Sequence, residues 1–481
     1  MRRLHAFLAL PIAFSLVGCA VGPNYKRPNV DVPPAYRRAA SDQGAAGAAA
    51  ATSLGDEQWW TIFQDEELQG LIRTALQQNY DMRIAATRVL QAQAQLGITR
   101  ADQFPALGAG ANINSNRTAL SPEFPAFEET SGQVTLSASW ELDFWGKYRR
   151  ATEAARANLL ASEWGRRAVV NTLIANVASA YFQLRALDLE LEISQQTLGS
   201  QRQSLKLEQA LEENGSVSLV DVRQAEQLVY TAAETIPNVE RQIQQEENLI
   251  RALLGQNPGE VPRGRKLVDQ PHPPSVPAGL PSALLERRPD IQQSEQQLVA
   301  ANAMIGVAKA AYYPDISLTG IGGFQSPALV KLFSGPAGMW NFGPNVSVPI
   351  FTAGKIHSNV KLAEAQQQEA LLTYQQTIQQ AFRGVSDSLI GYQKNREFRE
   401  QQELLTAAAE ESANLAQIRY KAGVASYLEV LTNDTNRFAA QLALAQAQAN
   451  ELNSLVQVYT SLGGGWPTSA QGAQAQQTGK P

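Results

Sequence analysis

Cysteine is almost absent: Cys19 is the single one in 481 residues. An intramolecular disulfide is therefore excluded, and no cysteine is free for catalysis. Histidine is nearly as scarce. Past the first few residues only His272 and His357 remain, far apart and beside loop or strand segments. A two-histidine metal site would need further ligands that no motif supplies. There is no Gly-x-Ser-x-Gly turn and no phosphate-binding glycine loop. These absences argue against an enzyme, a metal site or a bound cofactor. A basic excess is missing too. Lys and Arg number 40 against 45 Asp and Glu, and loss of Arg2 and Arg3 with a leader leaves 38 against 45, about −7. Nucleic acid is thus not an expected partner, because binding it requires a basic face.

What is present starts at the N-terminus. Met1, Arg2 and Arg3 precede an apolar run, Ala6 to Val17, broken by Pro11 and Ser15. That run is too short for a permanent membrane helix and reads as a signal peptide over residues 1–18. It ends in Leu16-Val17-Gly18-Cys19. A small residue directly before Cys resembles a bacterial lipobox. The resemblance implies cleavage before Cys19 and a covalent lipid on it, N-acyl and S-diacylglycerol, as an anchor. Ala20 rather than Asp follows, which in the sorting pattern it resembles favours the outer membrane. Residues 19–58 are then an anchored segment and linker. Ala39 to Thr52 and the tail 466–481 look flexible and carry little signal.

The chain repeats itself. Asp81 precedes Pro105 by 24 positions, and Asp290 precedes Pro314 by 24. Further on, one offset of 208 aligns Gly146-Lys147 with Gly354-Lys355, Gly215 with Gly423, Ser218 with Ser426, Asp221 with Glu429 and Leu254-Gly255 with Leu462-Gly463. An offset kept this long implies two copies of one unit, residues 59–265 and 280–465. A Pro-rich linker, 266–279, joins them.

Each copy reads as a helix, two strands and two further helices. The first helix runs from about Asp81 to Gln103, and from Asp290 to Tyr312, ended by Pro105 and Pro314. Then the period becomes two. Strands are expected at about 106–118, 131–143, 315–326 and 339–351. Val134, Leu136, Ala138, Trp140 and Leu142 alternate with polar residues, as do Trp340, Phe342, Val346, Val348 and Ile350. Ten-residue strands with one apolar face suit a membrane barrel, or a half-buried soluble sheet. The lipid anchor favours the barrel. Four strands cannot close one, and lipid tolerates no open edge. Several chains must then contribute; two, three or four would each give an even strand number.

Long Pro-poor windows follow, 147–254 and 355–462. Each opens with a helix roughly 100 Å long at ~1.5 Å per residue. Turns are expected at Asn214-Gly215-Ser216 and Ala422-Gly423-Val424, followed by return helices. Leu428, Leu431, Thr435, Phe438, Leu442, Ala445, Ala449, Leu452, Val456 and Tyr459 alternate spacings of three and four, a coiled-coil seam. Val222, Ala225, Val229, Ala232, Ile236, Val239 and Ile243 do the same, with a kink expected at Pro237. The remaining surface is polar and small. A hollow cylinder of paired helices needs no more than this thin seam.

These segments together resemble the outer-membrane factor family of TolC and OprM, in its lipoprotein branch. The carrying residues are Cys19 to Pro28, Trp59-Trp60, Arg287-Arg288-Pro289-Asp290-Ile291, Pro349-Ile350-Phe351 with Gly354, Tyr420-Lys421-Ala422-Gly423 and Leu462-Gly463-Gly464-Gly465-Trp466. The resemblance implies a mainly α fold with a transmembrane β-barrel portion. It implies a homotrimer whose shared twelve-stranded barrel in outer-membrane lipid continues as a periplasmic barrel of α-helical hairpins. It further implies export of small molecules received from an inner-membrane pump, of RND or MFS type, through a periplasmic adaptor. The same architecture also serves type I protein secretion, and a non-channel periplasmic coiled-coil lipoprotein or adaptor is the other alternative. A periplasmic gate is implied at Asp221, Tyr420, Leu428, Glu429 and Asp434, with a hydrogen bond between Tyr420 and Asp221. Thr432 stands where a second acid is common and Ala425 where an Arg occurs, so a two-ring acidic gate is in doubt. Gly215, Val217, Gly423 and Val424 match the tips that adaptors contact.

Overall fold

The computed structural model describes residues 20–34, 36, 54, 57–119, 127–271 and 281–464. Cys19, the signal peptide, most of the Pro-rich linker and the tail lie outside the described residues. In chain order the elements are α1 (Trp59–Ile62), α2 (Glu66–Gln78), α3 (Tyr80–Ala101), β1 (Ala106–Thr118), β2 (Phe127–Glu141), α4 (Lys147–Glu213), α5 (Leu219–Leu253), α6 (Pro281–Arg287), α7 (Pro289–Ala310), β3 (Asp315–Ser326), β4 (Gly338–Ser347), α8 (Lys355–Lys421) and α9 (Tyr427–Ser461). Helices α4 and α8 each hold 67 residues. Helices α5 and α9 each hold 35. None of the described helices is long and apolar enough to cross a membrane. Two compact units form, and each takes segments from both halves of the sequence.

The first unit contains one antiparallel sheet in the order β1-β2-β3-β4. Its register fixes the faces. Val134 pairs with Ala111 and Phe324, Leu136 with Ala109 and Gly322, and Trp140 with Leu318. Gly322 pairs in turn with Trp340, and Gly320 with Phe342. Paired residues share a face, so one face is a continuous apolar surface. The opposite face carries Asn112, Thr135, Ser137, Thr319 and Asn341. The apolar face is bare: Leu107, Ile113, Leu136, Trp340, Phe342 and Val346 are all exposed. Strand β2 starts at Phe127, earlier than its alternation suggests, because Phe127 to Ser131 pair with β1 alone. Strand β4 ends at Ser347 rather than near Phe351, since Ser347 pairs with Asp315, the first residue of β3, and no β3 residue remains to pair beyond it.

In the same unit α4 and α7 meet through Ala154, Ala157, Ala300 and Ala303, small enough for close approach. A strap, Ala20 to Arg27, is laid down here. The Val21 N–H donates to Trp145 O at 2.9 Å. Arg150 donates to Asn24 Oδ1 at 2.7 Å and to Val21 and Gly22 carbonyls. Arg27 and Tyr25 both donate to Glu295, at 2.8 and 3.1 Å. Gly22, at φ +99°, lies so near Gly306 that a Cβ would sit 2.5 Å from Gly306 Cα.

The second unit packs α2 and both helical hairpins around aromatic rings. Phe63 lies edge-on to Phe182 and Tyr459, with centroids 6.2 and 6.0 Å apart. Two helix ends are closed by side chains from ahead of α3 and α7. Asn79 Nδ2 donates to Leu253 O at the end of α5. Arg288 donates to Ser461 O at the end of α9 and pairs with Asp290 at 2.6 Å. These bonds satisfy otherwise orphaned carbonyls and account for the Arg-Arg-Pro-Asp motif. Helix α5 runs unbroken through Pro237, so that residue costs a backbone hydrogen bond without ending the helix.

Asp65 organises this unit. It is 1% exposed. It caps α2 by accepting from Glu67 and Leu68 N–H. Its Oδ2 accepts from Tyr181 Oη, Arg265 N and Gln270 Nε2, each at 2.9 Å. The start of the Pro-rich linker is therefore a packed element, with Leu267 and Gln270 buried. Asp65→Ala leaves these donors without an acceptor, and we expect a loss of roughly 3 kcal/mol. Exposed Glu66→Ala should cost under about 1 kcal/mol. Urea unfolding followed by near-ultraviolet circular dichroism compares the two. Equal midpoints would mean that Asp65 is not the organising acceptor.

Candidate functional site at the hairpin tips

The turns that close the two hairpins have the same construction. The first places Gly215 at φ +71°, where a side chain is strained, and Ser216 N–H reaches back to Leu211 O. The second places Gly423 at φ +73°, and Val424 N–H reaches back to Arg419 O. Gly215, Gly423 and Val424 are exposed, and Val217 is half-buried.

The return helices start differently. Ser218 N–H and Oγ both donate to Asp221 Oδ2, at 3.0 and 2.8 Å. Asp221 thereby caps α5, and its charge favours that N-terminus. Glu429 instead pairs with Arg419 across the turn, 3.0 Å away. Leu428 beside it is exposed.

The expected hydrogen bond between Tyr420 and Asp221 is not formed. The Tyr420 hydroxyl donates to Glu208 Oε2 at 2.7 Å, linking α8 to α4. The local reason is that Asp221 is occupied by its own cap, while Glu208 is buried beside Tyr420, with no cation paired to it among the described residues. The Tyr420 ring meets Tyr427 edge-on at 5.4 Å. Tyr427 packs with Ala225, Ala416 and Val430. That fit rotates the start of α9. Tyr427, Val430 and Asp434 face inward, one residue off the Leu428, Leu431 and Thr435 stripe expected from spacing.

Asp434 follows from that rotation. It is 1% exposed. It accepts from Gln201 Nε2 on α4 at 3.0 Å and pairs with Arg437 at 3.1 Å. It fastens α9 to α4 and does not stand with Glu429 on an open face. Toward the tips two bonds thus join the hairpins of one chain, Tyr420 to Glu208 and Gln201 to Asp434. Burial pushes the Glu208 carboxyl up, Tyr420's donation pulls it back, and nearby Asp221 adds a smaller upward push. Burial, then the bond to Glu208, raises Tyr420 above its ordinary value, so it stays a protonated donor. Sequence reasoning missed Glu208, Gln201, Arg419 and Tyr427. A signal existed: at the offset of 208 these positions face Ala416, Ala409, Leu211 and Leu219. No group of three or more His, Cys, Asp or Glu able to hold a metal occurs among the described residues.

Residues 71–256 and 280–464 each match the family model described as outer membrane efflux protein. The chain belongs to the outer membrane efflux protein family. The cation efflux system protein CusC of Escherichia coli O6:H1 is 35% identical over 95% of this chain and 97% of that one. A probable efflux pump outer membrane protein of Pseudomonas putida, TtgC, is 37% identical over 94% of each. Among solved structures, the open state of the Neisseria gonorrhoeae MtrE outer membrane channel superposes with a TM-score of 0.83. Its identity is 31%, covering 93% of this chain and 98% of that one. The two family matches fall on the two halves that the offset delimits, and the Tyr420 and Gly423 turn lies inside the second.

Tyr420→Phe tests the bond to Glu208 through its pH dependence. The raised carboxyl favours the folded state below its ordinary pKa, and that share is lost as pH rises into the raised window. Tyr420's donation offsets the loss by favouring the charged form. The variant should therefore lose about 1.5 kcal/mol or more at pH 7, where the acceptor is charged, and less at pH 4. Urea midpoints of variant and parent at both pH values measure this. An equal loss at both would mean that Glu208 is not the acceptor.

Proposed function

We propose that this efflux protein is the outer-membrane channel subunit of a tripartite system, carrying small molecules to the exterior. The observation that carries the reading is the sheet: four strands with a bare apolar face, bounded by β1 and β4 as open edges. In lipid such edges must pair, and only further copies of the chain can supply strands of the same design. Three copies give a barrel of twelve strands. The helices argue the same way. In the first unit α7 packs on α4, whereas Leu90 and Ile98 on α3 are exposed. A second copy's α8 would cover α3, repeating between chains the contact α7 makes within one.

The hairpins form the periplasmic part, two internal repeats per chain. Their tips, Gly215 with Val217 and Gly423 with Val424, meet an adaptor that links to an inner-membrane pump of RND or MFS type. Cys19, lipidated, tethers the strap to the membrane. No reacting group is required, so the chain is not an enzyme and needs no cofactor. Relatives named for cation efflux and for efflux pumps fit small solutes, selected by the pump.

Near the three-fold axis Leu428 and Glu429 form the constriction, with Asp221 capping α5 and Tyr420 bracing the hairpins behind. Asp434 serves as a brace rather than a ring acid. Arg419 partly neutralises Glu429, which limits repulsion between carboxylates on the axis. Glu429→Ala should raise single-channel conductance about twofold and weaken cation preference, while Arg419→Ala should strengthen that preference. Planar-bilayer recordings test both; unchanged selectivity in both would remove Glu429 from the constriction. Native mass spectrometry of the detergent-extracted complex tests the assembly. Three mature chains are expected, and a stable monomer would overturn the shared barrel.

A further inference from the structure

The loop between β3 and β4 lies at the end of the sheet away from the helices, and its sequence is unlike a solvent loop. From Leu329 it reads Leu-Val-Lys-Leu-Phe, and Lys331 is the sole charge between Ser326 and Trp340. Val330 is 96% exposed and Phe333 73%. A loop meant for water would not present these groups together.

Register states which way the loop folds. Gly132 has the parity of Val134 and Leu136, so its missing side chain would point to the apolar face. A Cβ there would lie 2.5 Å from Leu329 Cδ2 and 3.9 Å from Leu332 Cδ2. Gly132 pairs with Ser326, which is 6% exposed beneath the loop. Ser326 pins it by donating from Oγ to Ala328 O at 2.9 Å and accepting from Ala328 N–H at 3.2 Å. The Phe333 ring lies 5.7 Å from that of Phe324, another residue of the apolar face. The loop is thus folded outward over the apolar face, not across the polar one.

The strands leave a gap that this fold fills. At the last rung β2 offers Gly132 and β3 offers Ser326, neither with an apolar side chain; Ile113 alone continues the belt. From Phe324, level with Val134, to Ile316, level with Val346, is eight residue steps along β3, roughly 26 Å at ~3.3 Å each, or about 20 Å tall when tilted as membrane strands are. The outward apolar band of such barrels is about 25 Å tall. The strands alone fall short by about one rung.

We propose that residues 327–337 form a lipid-facing flap, seated on the sheet by buried Leu332, in which Leu329, Val330 and Phe333 lie against acyl chains of the outer leaflet and complete the apolar belt. The proposal rests on the membrane-barrel reading. Its occupant is lipid because the flap is continuous with the sheet's bare apolar face and shares its rung with Ile113. Lys331 has a stem long enough to carry its charge to the headgroup level.

The test uses the full chain reconstituted in phospholipid vesicles. Single spin labels are placed on Val330→Cys, Leu136→Cys and Asn341→Cys, with the signal of the parent carrying Cys19 subtracted. Collision with oxygen, which concentrates in lipid, is compared with collision with a water-soluble nickel chelate. The oxygen-to-nickel ratio at 330 should match that at 136 within about twofold and exceed that at 341 about fivefold. A ratio at 330 like that at 341, with 136 still lipid-like, would overturn the flap and make it a water-exposed lid. Nickel access at 136 would overturn the barrel itself. Val330→Asp supplies a second reading, because it should lower the yield of vesicle-inserted protein about tenfold, whereas an aqueous loop would leave it unchanged.

Discussion

A β-strand in lipid has no water to take its unpaired amides, and β1 and β4 each present a full edge of them. Much else in the chain is arranged around that constraint. The sheet's own register creates an apolar face that water penalises and an edge that lipid penalises, so neither medium suits the isolated strands. Closure by identical copies satisfies both at once. The strap from Ala20 to Arg27 belongs to the same logic. Bonds from Arg150, Asn302 and Glu295 hold it in one path, and Gly146 passes within contact distance of Ala20.

The helical hairpins face a different economy. Paired helices bury only a seam, mostly Ala and Val with single large side chains such as Tyr374 and Tyr459. Polar pairs hold the hairpins instead: Tyr420 with Glu208, Gln201 with Asp434, and Arg399 with the fully buried Glu451. A hydrogen bond to a charged group contributes about 1.5–3 kcal/mol, and leaving one such group buried and unpaired costs as much again. Bonds of that size fix a resting arrangement firmly. They are also few enough for a partner protein to exchange them for its own contacts.

Much of this was legible in the sequence. The order of elements, the two-residue alternation of the strands and the positive-φ glycines at both tips follow from local chemistry, and each is found within a few residues of its expected place. What escaped was tertiary. Periodicity on α9 offers two neighbouring stripes, and only the fit of Tyr427 against Ala225 and Ala416 decides which faces inward. That one-residue rotation hides Asp434 and exposes Leu428. Strand β2 begins early at Phe127 because a polar ribbon with β1 extends past the apolar belt, where no alternation is required. The β3–β4 loop left no periodic trace, since its apolar residues answer to a glycine on another strand.

The divergence between the halves is itself informative. At the turns the two copies keep Gly215 with Gly423 and Ser218 with Ser426, because backbone geometry allows little else. At the braces they differ: Glu208 against Ala416, Gln201 against Ala409, Tyr427 against Leu219. Making the copies unlike at these positions gives each hairpin a specific partner within its own chain. Moving α8 and α9 as a pair away from α4 would break both bonds, Tyr420 to Glu208 and Gln201 to Asp434. The residues that break the repeat are therefore the ones that hold the second hairpin to the first.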